Sequence, residues 1–165
     1  MGRCRGLNNA GYDYDLSRVQ TGTRTFRRSS WDRSGGNHDF LDLAPGDKVM
    51  LLEAEGPGKV THFYWTTINA SRFHFRQLVL RAWWDGEPAP SVEVPLGDFF
   101  CNGWGEHSLV QSLPIAVNPA SGFNSYWEMP FRKHARITVE NLIPRNILGF
   151  YYQIDYILTD VPDDR

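Results

Sequence analysis

The chain of 165 residues is poor in cysteine, in long apolar runs and in any excess of charge. Its only cysteines are Cys4 and Cys101. Two cysteines exclude a multi-bridge disulfide framework and a four-cysteine zinc site. A single Cys4–Cys101 bridge stays open, with two lone thiols the simpler reading. No apolar run approaches the ~20 residues that span a bilayer, so no membrane partner is expected. Met1 to Gln20 has charges but no hydrophobic segment of the secretory type. The expectation is a soluble, cytoplasmic chain. Seventeen basic against nineteen acidic residues leave a net charge of -2. That balance gives no electrostatic case for nucleic acid as a partner.

Several chemical signatures are missing as well. There is no P-loop, no GxGxxG and no GxSxG, so nothing supports a nucleotide site or an α/β-hydrolase serine. The histidines His38, His62, His74, His107 and His134 never fall at helical i,i+4 ligand spacing. Neither a metal nor another cofactor is expected. Helical periodicity is weak, with Asp13 to Val19 the one stretch left open.

Aromatic residues are abundant, at 14% with six Trp, seven Tyr and ten Phe. Aromatics fill sandwich cores, and they also make platforms for sugar rings and for protein interfaces. Residues 1–24 read as an irregular arm, 25–160 as one domain and 161–165 as a tail or cut linker. Strand signals fall at Val49–Leu52, Val60–Thr67, Phe75–Trp84, Val92–Val94, Gly122–Phe131, Ala135–Val139 and Ile147–Leu158. Pro, Gly and Asn turns separate them. Seven to eight short strands predict an all-β antiparallel β-sandwich, with jelly roll the leading topology. Periodicity alone does not separate that from an immunoglobulin-like sandwich. Trp83 and Trp84 are adjacent, so one indole points to each face of its strand.

Carboxylates beside aromatics on loops are the groups that sugar recognition uses. Asp32 and Asp39 flank Gly35-Gly36-Asn37, next to Trp31. Asp98 precedes a loop with Trp104, Glu106 and His107. Cleaving a glycosidic bond needs two carboxyl groups across it, and Asp32, Asp39, Asp98 and Glu106 are the candidates. Against this stands turn capping, the ordinary task of an Asp beside Gly. Arg132-Lys133-His134 is basic and suited to hold an anion or pair with an interface acid, although a solvated strand start is the simpler reading.

The stretch Ser29 to Phe40 (SSWDRSGGNHDF) resembles the opening motif of glycoside hydrolase family 172, first catalogued as domain-of-unknown-function family 2961. The resemblance continues through Gly56-Pro57-Gly58, Trp84-Asp85-Gly86-Glu87 and Pro90 to Phe100. It resumes at Met129 to Lys133 and at Phe150 to Tyr156. It implies a bacterial double jelly roll that assembles as trimers and acts on furanosides, as a retaining enzyme with two catalytic glutamates. It further implies that this chain is the N-terminal half of such an enzyme. The stretches that carry the glutamates in the family, Trp-Gly-Glu-Gly-Glu and Gly-Thr-Gly-Thr-Glu-Asp-Tyr, are absent. Leu96-Gly97-Asp98-Phe99-Phe100 is the nearest counterpart of the second, and Gly97 stands where the glutamate would be. No catalytic residue is therefore assigned. A substrate-binding role is expected for Trp31, Asp32, Asn37 and Asp39, and on the loop argument alone for Glu106 and His107. Expected partners are a furanoside carbohydrate and a second jelly-roll half or trimer mate. A non-catalytic carbohydrate-binding sandwich and a capsid-like assembly domain are the rival readings. An apolar docking patch is expected at Trp83 or Trp84, with alternate residues of Phe150–Leu158.

Overall fold

The computed structural model describes residues 21–68 and 74–163. Most of the expected N-terminal arm, the Asp13–Val19 stretch and Cys4 lie outside the described residues. Cys101 is exposed and carries a free thiol.

The described chain is all-β and antiparallel, in two sheets. The strands are β1 (Arg24–Ser29), β2 (Leu41–Leu43), β3 (Lys48–Glu55), β4 (Gly58–Thr67), β5 (Leu78–Trp84) and β6 (Val92–Pro95). They continue as β7 (Val110–Gln111), β8 (Ile115–Val117), β9 (Phe123–Ser125), β10 (Met129–Phe131), β11 (His134–Asn141) and β12 (Ile147–Leu158). Two single-turn helices, α1 (His74–Gln77) and α2 (Leu96–Phe99), sit at strand ends. The larger sheet runs β1-β12-β4-β9-β8-β7, with β2 also on β12 and β10 also on β4. The smaller runs β3-β11-β5-β6.

The pairings nest. β5 pairs with β6, β4 with β9 and β10, β3 with β11, and β1 with β12. One long hairpin, bent at β5–β6 and rolled across two sheets, produces this nesting. Two antiparallel sheets facing across one core make the β-sandwich that the strand pattern predicts.

Side-chain alternation explains the core. On β4, Val60, Phe63 and Trp65 point inward, while His62, Tyr64 and Thr66 are half-exposed. The step of three from Val60 to Phe63 breaks strict alternation. The β12 register shifts at the same place: Asp155 faces His62, and Tyr156 faces Val60. Thr61 is the extra residue of a bulge, and it keeps both faces in phase. On β12, Phe150, Ile154 and Tyr156 face in. They join Leu51, Leu52, Leu80, Ala82, Ile137 and Val139 of the smaller sheet in one core cluster. Trp65 lies at its centre, stacked on Phe123 at 4.4 Å and on Phe150 at 5.9 Å. Burying rings of this size supplies a large share of the driving force in a domain this small.

Trp83 and Trp84 part as a strand requires. Trp84 packs against the core. Trp83 lies under the Arg136 guanidinium, 4.7 Å from its ring centre. Around it the outer face of the smaller sheet is ionic, with Arg81 bonded to Glu93 at 2.8 Å and also to Glu140. The apolar docking patch is not found along β12. Its outward residues Tyr151, Gln153 and Asp155 are polar, with Ile157 half-buried beyond them. Of its inward alternates, Phe150, Ile154 and Tyr156 are buried, and Tyr152 and Leu158 are half-buried. The most exposed apolar side chains include Trp104 and Leu109 in the loop before β7, and Leu113 in the turn after it.

Candidate functional site

The loop between β1 and β2 holds four of the six expected sugar-facing residues. Each letter of its Gly-Gly-Asn core has a local cause. Gly35 has φ +77°, where an L side chain is strained. A Cβ on Gly36 would come within 2.9 Å of the Asp32 carboxylate. Asn37 has φ 60°, a conformation Asn tolerates better than most residues. Asp32 Oδ1 accepts from the Ser34 amide at 2.8 Å and from Ser34 Oγ at 2.7 Å. Its Oδ2 accepts from the His38 amide at 3.1 Å. The Ser34 hydroxyl and the backbone amides hold the Asp32 carboxyl down at about 2. Asp39 Oδ1 accepts from the Asp32 amide at 2.7 Å. Ser30 Oγ donates to the Asp39 carbonyl at 2.7 Å and accepts from the Tyr152 amide at 3.1 Å, which ties the loop to β12.

Both Asp side chains are thus engaged in shaping the loop. The loop presents outward the Trp31 indole, 58% exposed, and the exposed Asn37. Its far end lies against the larger sheet. His38 packs on Phe40 at 3.9 Å, and Phe40 lies 5.5 Å from Tyr151.

Glu106 and His107 belong to a different loop. The His107 ring bonds the Ala120 carbonyl, and Glu106 is exposed. That loop is held from below by Asn102, which is buried, accepts from the Ser108 amide at 2.6 Å and donates to the Phe100 carbonyl at 3.0 Å. Asp98 is bound by Arg76, whose guanidinium also donates to the Gly103 carbonyl at 3.1 Å. Gly97 sits where a Cβ would fall 2.5 Å from Phe75 Cβ, so this position has no room for a side chain.

Two of the resembling motifs meet in space. Asp85 turns the chain between β5 and β6 at φ 54°. Its Oδ1 accepts from the amides of Arg132, Lys133 and His134 at 2.8, 2.7 and 3.2 Å. Burial pushes the Asp85 carboxyl up, and these three amides outweigh it, so the net direction is down. The basic segment does hold an anion. The anion is internal, and the backbone holds it.

Sequence reading missed one constellation. On the outer face of the larger sheet, Arg27 Nε donates to Asp155 Oδ1 at 2.6 Å, and Gln153 donates to Oδ2 at 2.9 Å. His62 Nδ1 lies 3.4 Å from Oδ2, and its Nε2 lies 3.2 Å from Asn124 Oδ1. The Tyr126 ring stacks on His62 at 4.8 Å. Burial raises the Asp155 carboxyl, and the bonds from Arg27, Gln153 and His62 bring it below its ordinary value. Four strands contribute to the cluster, so only the register brings it together. The visible signal was a run of polar residues at alternate β4 and β12 positions. Among the described residues no group of three or more His, Cys, Asp or Glu is gathered as a metal site would need.

No curated protein matches the chain significantly. The family model described as GH172 domain-like matches residues 37–147. The match starts inside the loop, at Asn37, and runs through both Asp85 and the amides that bind it. It spans more than half of the chain, which therefore belongs to the GH172 domain-like family.

Proposed function

We propose that the chain is the N-terminal jelly-roll half of a retaining furanosidase-type glycoside hydrolase of the α-D-fructofuranosidase or D-arabinofuranosidase class. On this reading it contributes a furanoside-facing loop and lacks the catalytic glutamates. The family match carries the glycoside hydrolase relation. The observation that carries the non-catalytic reading is the state of the carboxylates. A general acid must hold a proton near neutral pH, and Asp32 is ionised down to about 2. The bonds from Ser34 and His38 occupy both of its oxygens. Asp39 holds the Asp32 amide, and Asp98 is bound by Arg76. Gly97, at the counterpart of a catalytic position, has no space for a glutamate. What remains for sugar is the Trp31 indole face, with the Asn37 amide beside it for hydroxyls.

The assembly reading has its own support. Trp104 is 95% exposed, and Leu109 and Leu113 are exposed on either side of β7. A second jelly roll or a trimer mate on this side of the domain would cover them.

The test is an activity assay of the full chain on 4-nitrophenyl α-D-arabinofuranoside and on methyl α-D-fructofuranoside. The expected rate equals the buffer blank. Turnover that Glu106→Gln abolishes would overturn the non-catalytic reading.

A further inference from the structure

Where the rims of the two sheets part, between β6 and β10, the molecule has an apolar cleft of about 380 Å³. That lies at the lower end of the range small-molecule sites occupy, about 300–1,000 Å³. Trp84 at the end of β5, Val92 of β6, Phe99 of α2, and Trp127 and Met129 line it, with Glu128 as its charged member. The cleft belongs to neither the Trp31 loop nor the Arg27–Asp155–His62 cluster.

Its two indoles differ in setting. Trp84 packs into the core and forms a fixed wall. Trp127 is 42% exposed and flanks the opening. Glu128 is paired with Lys59 from the neighbouring strand β4. Glu128 lines the cleft between Trp127 and Met129 in sequence, and Lys59 reaches it only through this ion pair. Hydroxyl groups need an acceptor and a donor, and the C–H face of a sugar ring needs an aromatic plane. A purely apolar ligand would use the walls and leave the ion pair idle.

We propose that this cleft is a second carbohydrate subsite, which takes one sugar ring between Trp84 and Trp127 with its hydroxyls on the Lys59–Glu128 pair. The inference deepens the furanoside-binding reading above and rests on it for the ligand class. The occupant is a sugar residue of the same glycan that meets the Trp31 loop, or of a second chain.

The six Trp residues make the test direct, because each indole N–H gives its own amide-region NMR signal. The ¹⁵N-labelled full chain is titrated with methyl α-D-arabinofuranoside, with methyl α-D-glucopyranoside as the control. Single Trp→Phe variants assign the signals. The expected result is a saturable shift of the Trp84 and Trp127 indoles with the furanoside. Trp127→Ala should weaken it about tenfold, the scale of one aromatic stacking contact. Lys59→Met, which keeps the stem, should weaken it as well and covers the case of a poorly folded Trp127 variant. Shifts at Trp31 alone would overturn the cleft proposal and leave the loop reading standing. Shifts at Trp84 and Trp127 without Trp31 would uphold the cleft and sink the loop. If the two cleft indoles move with protein concentration and not with sugar, the cleft is a protein interface, and the proposal is wrong.

Discussion

Asp32 illustrates how one residue type serves two readings. From sequence it stands among sugar-facing acids, and in the fold it accepts three hydrogen bonds from its own loop. Its lowered carboxyl makes a pH prediction. A carboxylate depressed from 3.8 to about 2 contributes to the loop fully above the ordinary value and loses that contribution as pH falls through about 2. The Ser34 and His38 amide resonances should therefore hold steady from neutral pH to about 4 and then move with a midpoint near 2. A midpoint near 4 would mean that those bonds are not made. Gly97 makes a stability prediction. Gly97→Ala drives a methyl into Phe75, and overpacking of this kind costs ~1–3 kcal/mol, read as a lower urea midpoint. An unchanged midpoint would remove the steric reason for glycine there. Asp85→Ala removes one acceptor from three amides that water can partly reach, at a net cost of about 0.5–1.5 kcal/mol by the same measurement.

At the scale of elements, β12 organises the larger sheet. It has β1 and β2 along one edge and β4 along the other. β7 is two residues long and ends the same sheet. Native-state hydrogen exchange should be slowest in β12 and β4 and fastest in β7. Equal protection of β7 and β12 would contradict this pairing. The long strands were legible in the sequence because alternation and β-branching are local properties. β1 was not, since Arg24, Arg27 and Arg28 hide its period behind charge, and its pairing with Thr159-proximal β12 residues is a distant one. Gly122–Phe131 reads as one strand and is two. After Ser125 the chain leaves Phe63–Trp65 of β4 and rejoins that strand at Gly58–Val60. Nothing local announces such a step. Phe75 was read into β5, yet His74–Gln77 form a helical turn that buries Phe75 against Gly97. Trp31, Asp32, Asn37 and Asp39 were legible as one loop because they are close in sequence. Glu106 and His107 were joined to them only by chemistry, and the fold puts them on a separate loop. The Arg27–Asp155–His62–Asn124 cluster shows in the sequence only as polar alternation on β4 and β12, because its assembly depends on the register of four strands.

At the scale of the whole molecule, the two sheets share one core, and the proposed sugar sites lie at their margins. The Trp31 loop is bonded to β12, and the Trp84–Trp127 cleft opens where the sheet edges diverge. The carboxylates that sequence reading offered for catalysis at Asp32, Asp39 and Asp98 hold the frame together. On the proposed function, this domain binds a furanoside and leaves its glycosidic bond intact, and that claim is open to a direct test. One NMR experiment reads both halves of that claim: the full chain is mixed with methyl α-D-arabinofuranoside, and the indole signals and the anomeric sugar signal are followed together over a day. The account predicts saturable indole shifts with an anomeric signal that stays constant. Free arabinose and methanol appearing faster than in the buffer blank, or indoles that ignore the sugar altogether, would contradict it.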